Sequence, residues 1–354
     1  MDFGALAHAF GFGRGASSKP VGKQPPQALY RYRPCTNVLL ERELDALENS
    51  YLFAPSFESM NDPMEAFVEV GGEHDVLLTR LKAGSENTLK ALYAQVTSMV
   101  ANAGLISFSA THADFPLWAY YASNFAGFCL EFDTNALQFG DLQGEQLHPV
   151  TYAEDALPAV SLTTLLKQAR GPGNLVTDRL SRKRAEWAHE REWRYITGRV
   201  GKKHLLDTAL RRVYLGPRMA PAHVERLCAV LADRPVEVLK GVVRGFDMGF
   251  ESVQAGASVA TSGRVGQGRF AQDDLVSEGE LRQFLQVPFE ALIAECERLA
   301  SHPNMDGFTG IDVAAAIPDA LFVGTSYRLR SGREIYRQRY YDRQMHRTRW
   351  PHHV

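Results

Sequence analysis

The chain has 354 residues, of which 45% are hydrophobic, 10% aromatic and 23% charged. That profile belongs to a folded protein with room for two domains or one decorated domain, and it excludes a disordered tail, a collagen-like fibre and a disulfide scaffold. The formal net charge of -2, from 39 basic and 41 acidic side chains, selects neither nucleic acid nor a membrane surface wholesale.

Cys35, Cys129, Cys228 and Cys296 lie far apart with no CxxC spacing, which reads as a reducing compartment and speaks against a structural zinc site. No stretch reaches the roughly 18 uncharged apolar residues of a spanning helix. The opening MDFGALAHAF contains Asp2 and no basic n-region, so it makes a poor secretory leader. The expectation is a cytoplasmic protein with no membrane partner.

In chain order, residues 1–27 are rich in Gly, Ser, Pro and Lys and read as a flexible arm. ALYRYR, from Ala28, has strand character, and VLLERELDALEN places Leu39, Leu40, Leu44 and Leu47 on one helical stripe. YLFAPS reads as a short strand, and FESMNDPMEAF as a turn in which Asn61 and Asp62 precede Pro63, with Glu65 as a possible arginine partner. Residues 74–103 are expected to be helical. LISFSA is a strand, LWAYYASNF a short helix and GFCLEFD a strand. HPVTYAE is a further strand, DRLSRKRAEWAHE a charged helix, REWRYITGRV a strand leaving it, and RRVYLGPR another short strand.

Beyond about residue 222 the character changes. AHVERLCAVLAD reads as a helix, PVEVLKGVVRGF as a strand, and 254–272 as a long Gly-, Ala- and Ser-rich loop. A helical stretch broken near Pro288 follows, and ALFVGTSYRLR with REIYRQRYYDR forms an antiparallel pair turning at Ser331 and Gly332. The irregular alternation of short strands and helices implies an α+β fold rather than a doubly wound sheet. The expected division is an arm (1–27), a core domain (28–222) and a C-terminal α+β extension with a basic end (223–354).

No GxxxxGK[ST] loop, HExxH helix or GxSxG elbow is present, and the glycine clusters at Gly11–Gly15 and Gly263–Gly268 fail the dinucleotide spacing or context. No histidines form a metal-ligand pair, so no metal is expected.

Polar residues interrupt apolar strands at a few places. Arg31 and Arg33 alternate with tyrosines and share a strand face, as Ser107 and Ser109 do on either side of Phe108. The ordinary alternatives are a solvated edge strand and serines bonded to neighbouring backbone. Trp118 and Tyr121 lie on the short helix that follows. In WAHEREWRYI, an extended chain from Glu190 puts Glu190, Glu192 and Arg194 on one face; if the helix runs on through Glu192, the two carboxylates point about 200° apart.

Taken in order, LYRYR, MNDPMEA, SFSA, LWAYYA, GFCLEFD and WAHEREWR resemble an uncharacterised family of bacterial proteins, over about residues 28–220. A more remote resemblance is to ADP-ribosyltransferases of the arginine–serine–glutamate type, through Arg33 or Arg31, Ser107-Phe108-Ser109 and Glu190-Arg191-Glu192. Phe108 between the serines and Arg191 between the glutamates depart from that pattern. This resemblance implies a small mixed or antiparallel split sheet with flanking helices, and NAD as substrate. Glu192 would stabilise the oxocarbenium-like ribose and Glu190 would serve the acceptor as general base. Arg33 or Arg31 would hold a phosphate or ribose, Ser107 and Ser109 would support them, and Trp118 or Tyr121 would stack on the nicotinamide. The acceptor would be a protein or nucleic acid, and by analogy the role that of a toxin or phage-defence effector.

Two alternatives stand beside this NAD-cleaving or ADP-ribosyl-transferring reading. One is a non-catalytic sensor that binds a nucleotide or a protein. The other is nucleic-acid engagement by the C-terminus, where Tyr327 to Trp350 holds eight arginines against Glu334 and Asp342, with tyrosines interleaved. The preferred explanation of that pattern is an ordinary basic hairpin or tail that packs against an acidic surface of the first domain, since the chain as a whole is not basic.

Overall fold

The strands and helices run β1 (Ala28–Arg33), α1 (Asn37–Glu48), β2 (Tyr51–Ala54), β3 (Gly104–Ser109), α2 (Phe115–Tyr120), β4 (Phe128–Asp133) and α3 (Thr134–Leu137). They continue with β5 (Gln146–Pro149), β6 (Thr151–Ala153), α4 (Pro172–Leu180), β7 (Arg182–Arg184), β8 (Glu192–Thr197), β9 (Gly201–His204), β10 (Leu210–Leu215) and α5 (Pro221–Leu231). The remainder is β11 (Glu237–Arg244), β12 (Asp247–Gln254), α6 (Glu278–Phe284), α7 (Glu290–Ala300), β13 (Met305–Val313), β14 (Leu321–Arg328), β15 (Glu334–Tyr341) and β16 (Arg347–Thr348). This is a computed structural model; it describes residues 24–60, 94, 97–155, 172–315 and 317–348, in a mixed α+β fold. The arm up to residue 23, the turn holding Asn61, Asp62 and Glu65, and most of the helical stretch 74–103 lie outside the described residues.

Contacts divide the chain into two compact units that interleave along the sequence, one of 1–32, 52–120 and 142–203, the other of 33–51, 121–141 and 204–354. The boundary expected near residue 222 therefore falls inside the second unit.

In the first unit β1, β3, β8 and β5 lie side by side in that order, all antiparallel. Every residue of β8 is buried. Because strand side chains alternate, Glu192, Arg194 and Ile196 share one face and Trp193, Tyr195 and Thr197 the other. Ile196 packs with Val100, Ala103, Leu105, Val176 and Leu180, which carries α4 over the first of these faces. On the opposite face Phe108 and Tyr195 meet edge to face at 6.2 Å.

Two expectations are corrected here. The charged helix expected over 178–190 stops at Leu180, and Arg182–Arg184 instead forms β7, paired in parallel with β6. The strand expected over 148–154 splits at Val150: its amide donates to Glu192 O at 2.9 Å, and that of Thr151 to Ser181 O at 2.8 Å. Pairing with a distant segment overrides local helix preference at Arg182–Arg184, and divides the strand at Val150 between two partners.

In the second unit β4, β10, β11 and β12 are neighbours in that order, with β10 and β11 parallel and the outer pairs antiparallel. β13 to β16 form a separate antiparallel meander. Leu281, Leu292, Cys296 and Leu299 of α6 and α7 pack against Ile311, Leu321 and Val323 of that meander. Burying each such leucine contributes roughly 1.5–3 kcal/mol. α1 buries Leu40, Leu44 and Leu47 at the spacing of its apolar stripe, with Glu43 among them. The β14–β15 hairpin turns at Gly332, whose φ of +83° needs a residue without Cβ.

Most of the described C-terminal arginines are engaged within this unit. Arg328 pairs with Asp306, Arg330 with Asp207, Arg333 with Asp141 and Arg343 with Asp319. Arg339 donates to Thr325 Oγ1 and Tyr327 Oη, at 2.9 and 2.5 Å. Arg337 lies 3.6 Å over the Phe139 ring, and burial, followed by the charges of Arg339 and Arg347, pushes its pKa down to about 10.

Candidate functional site

The register of the first sheet sets Ser107 opposite Arg194 and Ser109 opposite Glu192, with His148 of β5 on the other side of Arg194. A parallel pairing of β6 with β7 places Tyr152 beside Lys183. A 3-10 turn over Ala185–Glu190 then delivers Glu190, Arg191 takes the left-handed conformation (φ 47°, ψ 49°), and β8 begins at Glu192. The chain is thus neither helical nor extended through the pair of glutamates. One left-handed residue still brings both carboxylates to one cation: Lys183 Nζ is 2.6 Å from Glu190 Oε2 and 3.5 Å from Glu192 Oε2.

Glu192 is clasped on its other side by Arg194, Nε to Oε1 at 2.7 Å and Nη2 to Oε2 at 2.9 Å. Arg194 Nη1 also donates to Leu180 O at 2.9 Å, satisfying a carbonyl in the last turn of α4. Two carboxylates and two cations therefore balance in a region closed to solvent, Arg194 being 0% and Glu192 6% exposed. Burial alone raises the Glu192 pKa, but the charge and hydrogen bonds of Arg194, with Lys183, outweigh it and hold the carboxyl below its usual range. Ser107 Oγ stands near enough to favour the charged form although it is buried and closes no full hydrogen bond.

The left-handed turn is fixed from several directions. Ser109 Oγ donates to Glu190 O at 2.8 Å and accepts from Thr111 N, Ala110 N donates to Arg191 O, and Tyr152 Oη accepts from Glu192 N at 2.8 Å. Burial, with the nearby glutamate charges, pushes the Tyr152 phenol up to about 12. A non-glycine residue at positive φ persists only where its surroundings over-determine it. The exposed Arg191 guanidinium has no hydrogen-bond or ion-pair partner among the described residues. Around the same turn the Trp187 ring lies 5.0 Å from Lys183 Nζ, edge-on to the exposed Tyr120 at 6.4 Å and tilted against His189 at 6.1 Å.

The other residues singled out in the sequence have different surroundings. Arg31 donates to Ser107 O at 3.3 Å and Phe53 O at 3.5 Å. Arg33 belongs to the second unit, where Glu43 of α1 takes its guanidinium at both oxygens. Trp118 is fully buried, donating Nε1–H to His112 O at 2.7 Å and meeting Tyr32 edge to face, so it is a core ring with no face open to a nicotinamide. Tyr121 is half-buried at the end of α2, in the second unit. Lys183 and Tyr152 were not anticipated: the apparent helix over 178–190 hid Lys183, and a lone tyrosine in a short strand carries no signal. Among the described residues no group of three or more His, Cys, Asp and Glu is arranged to hold a metal, and no helix is long and apolar enough to cross a membrane.

Fold and site together define a mixed α+β protein with a buried network of two carboxylates and two cations beneath an aromatic turn. Residues 117–195, which hold the whole network and the turn, match an uncharacterised family described as a protein of unknown function, DUF2971. That similarity carries no activity with it. No curated protein and no solved structure matches the chain.

Proposed function

We propose that the first unit binds a nucleotide-class ligand, NAD among the candidates, at the turn centred on Arg191. The observation that carries this reading is that Arg191, exposed and with no hydrogen-bond or ion-pair partner among the described residues, directly follows the turn that carries the Trp187 and His189 rings, with Tyr120 edge-on to Trp187. A guanidinium suits a phosphate and an aromatic set suits a base or nicotinamide ring. His189 adds an acceptor, since Nδ1 faces Glu186 O and the buried Nε2 has no partner among the described residues. The ion network beneath acts as a rigid floor that positions the turn.

A second reading, NAD cleavage or ADP-ribosyl transfer, is supported by the convergence of Glu190 and Glu192 and by the ionised state of Glu192. A carboxylate stabilises a ribosyl cation only when it can face it. Glu192 is engaged by Arg194 at both oxygens, so this reading requires the clasp to open on substrate binding.

One set of titrations separates the two. NAD, ADP-ribose and adenosine are titrated calorimetrically into the wild type and into Arg191→Asn, asparagine being a residue that tolerates the left-handed backbone. Free nicotinamide is measured in the NAD samples. Binding of NAD and ADP-ribose that weakens about tenfold in the variant (~1.4 kcal/mol), without nicotinamide release, is the expected outcome. Release that Glu192→Gln abolishes establishes cleavage instead. Neither binding nor release overturns both readings.

A further inference from the structure

In the second unit three side chains from two distant segments form a relay that neither reading above uses. Cys35 Sγ lies 3.3 Å from His223 Nδ1, and His223 Nε2 lies 3.2 Å from Asn37 Oδ1. An amide oxygen only accepts, so Nε2 carries the imidazole proton and Nδ1 presents its lone pair to the thiol. That is the nucleophile, base and orienting group of a thiol acyl-transfer site.

The surroundings fit the same chemistry. Cys35 precedes α1, a helix of 12 residues whose N-cap Thr36 makes no side-chain hydrogen bond, so first-turn amides stay available to a developing oxyanion. Cys35 N donates to Ser123 Oγ at 3.0 Å, and Ser123 opens a run, Ser123 to Phe125, in which all three residues have positive φ. This left-handed run fixes the backbone at the nucleophile. Burial, and then the Glu43 charge, push the Cys35 thiol up, so it rests protonated and needs a base at the moment of attack. Thr36, Asn37 and Val38 beside it are exposed, as are Pro221 and Ala222 before His223, while the thiol itself is nearly closed off. A thiol so closed off admits only a small acyl group.

We infer that Cys35, His223 and Asn37 form a nucleophilic thiol site that accepts small acyl groups from esters. Sγ attacks the carbonyl carbon, its proton passes to His223 Nδ1, and the C–O bond breaks as the leaving alcohol takes that proton. Water then attacks the thioester and gives a proton to His223. The C–S bond breaks, the proton returns to sulfur and the carboxylic acid leaves. Asn37 is a positioning residue that fixes the imidazole tautomer.

The test is acetylation of the full chain by p-nitrophenyl acetate, with the modified residues mapped by mass spectrometry. Cys228, a half-buried free thiol on α5, is the internal comparison. Cys35 is expected to acetylate at least tenfold faster than Cys228. His223→Gln, which keeps a polar side chain but no base, removes that advantage. Asn37→Ala slows the reaction, and Asn37→Asp, which keeps an acceptor oxygen, restores it. Absence of acetyl from Cys35 with p-nitrophenolate release no faster than from Cys35→Ala, a rate no greater than at Cys228, or a rate unchanged in His223→Gln overturns the inference.

Discussion

Arg194 and Glu192, two positions apart on one face of β8, form a two-pronged ion pair in a strand whose every residue is buried. A buried pair of this kind is marginal in net stability, because desolvation offsets the attraction, but removing one partner leaves an uncompensated charge. Arg194→Met should therefore destabilise the protein by about 3–5 kcal/mol. Adding Glu192→Gln to that variant should recover part of the loss, since the two residues interact directly. Urea denaturation of the single and double variants reads both effects; simple additivity would mean that the pair is not coupled.

Asp207 plays the corresponding part in the second unit. It is 1% exposed and meets Arg234 at 3.2 Å, Arg330 at 2.8 Å and Ser50 Oγ at 2.8 Å, while its amide donates to Asn304 Oδ1. Burial would raise its pKa, but the charges of Arg234 and Arg330 hold it below the usual carboxylate range. Its contribution is complete above the unfolded carboxyl pKa and is lost as pH falls through the lower folded value. Asp207→Asn strands two guanidinium groups and should cost about 3–5 kcal/mol. Arg330→Ala should cost less, because Arg234 still neutralises the carboxylate. Urea midpoints at neutral pH rank the two variants, and the reverse order would show that Arg330 is the principal partner.

How much of this was legible in the sequence depends on whether the signal was local. The Leu40, Leu44 and Leu47 stripe, the β14–β15 hairpin turning at Gly332 and the break near Pro288 are local patterns, and each appears where expected. Lys183 was hidden because β7 exists only through its pairing with β6, and the segment otherwise reads as a charged helix. Asp247–Gln254 forms β12 as a largely exposed strand in which the alternation of Met248 and Phe250 with exposed residues stops at Glu251, so only half of it carries the pattern of a half-buried strand. Cys35 and His223 are separated by 188 positions, and no periodicity encodes their meeting.

His302 gives a pH dependence with a defined window. Its Nδ1 accepts from Asn304 N at 3.1 Å, so Nε2 carries the proton and faces Thr208 Oγ1 at 2.8 Å. Protonating Nδ1 would set two donors against each other. Burial, reinforced by the charge of Arg339, pushes the folded pKa down to about 4 from an ordinary 6.5. The unfolded chain thus binds the extra proton between those values, and stability falls as pH drops through that window. The expected loss is about 3 kcal/mol across it. His302→Gln should flatten this part of a stability–pH curve measured by urea denaturation. An unchanged slope between pH 6.5 and 4 would assign the dependence to other groups.

The left-handed run beside Cys35 is held by backbone packed directly on backbone. A Cβ built on Gly216 would come within 2.1 Å of Phe125 O and 2.9 Å of Gly127 O, where no side chain can yield. Gly216 N donates to Gly127 O at 2.8 Å and Arg218 N to Phe125 O at 3.0 Å, so the close approach is also what satisfies these carbonyls. Gly216→Ala must separate the two segments and should cost about 1–3 kcal/mol. Gly198, with nothing within 4 Å of its Cβ position, is the control, and Gly198→Ala should fall within about 0.5 kcal/mol of the wild type. Equal urea midpoints for the two variants would show that the run from Ser123 to Phe125 can move away without loss. A lowered midpoint confined to Gly216→Ala would establish that the end of β10 presses this strained segment into place.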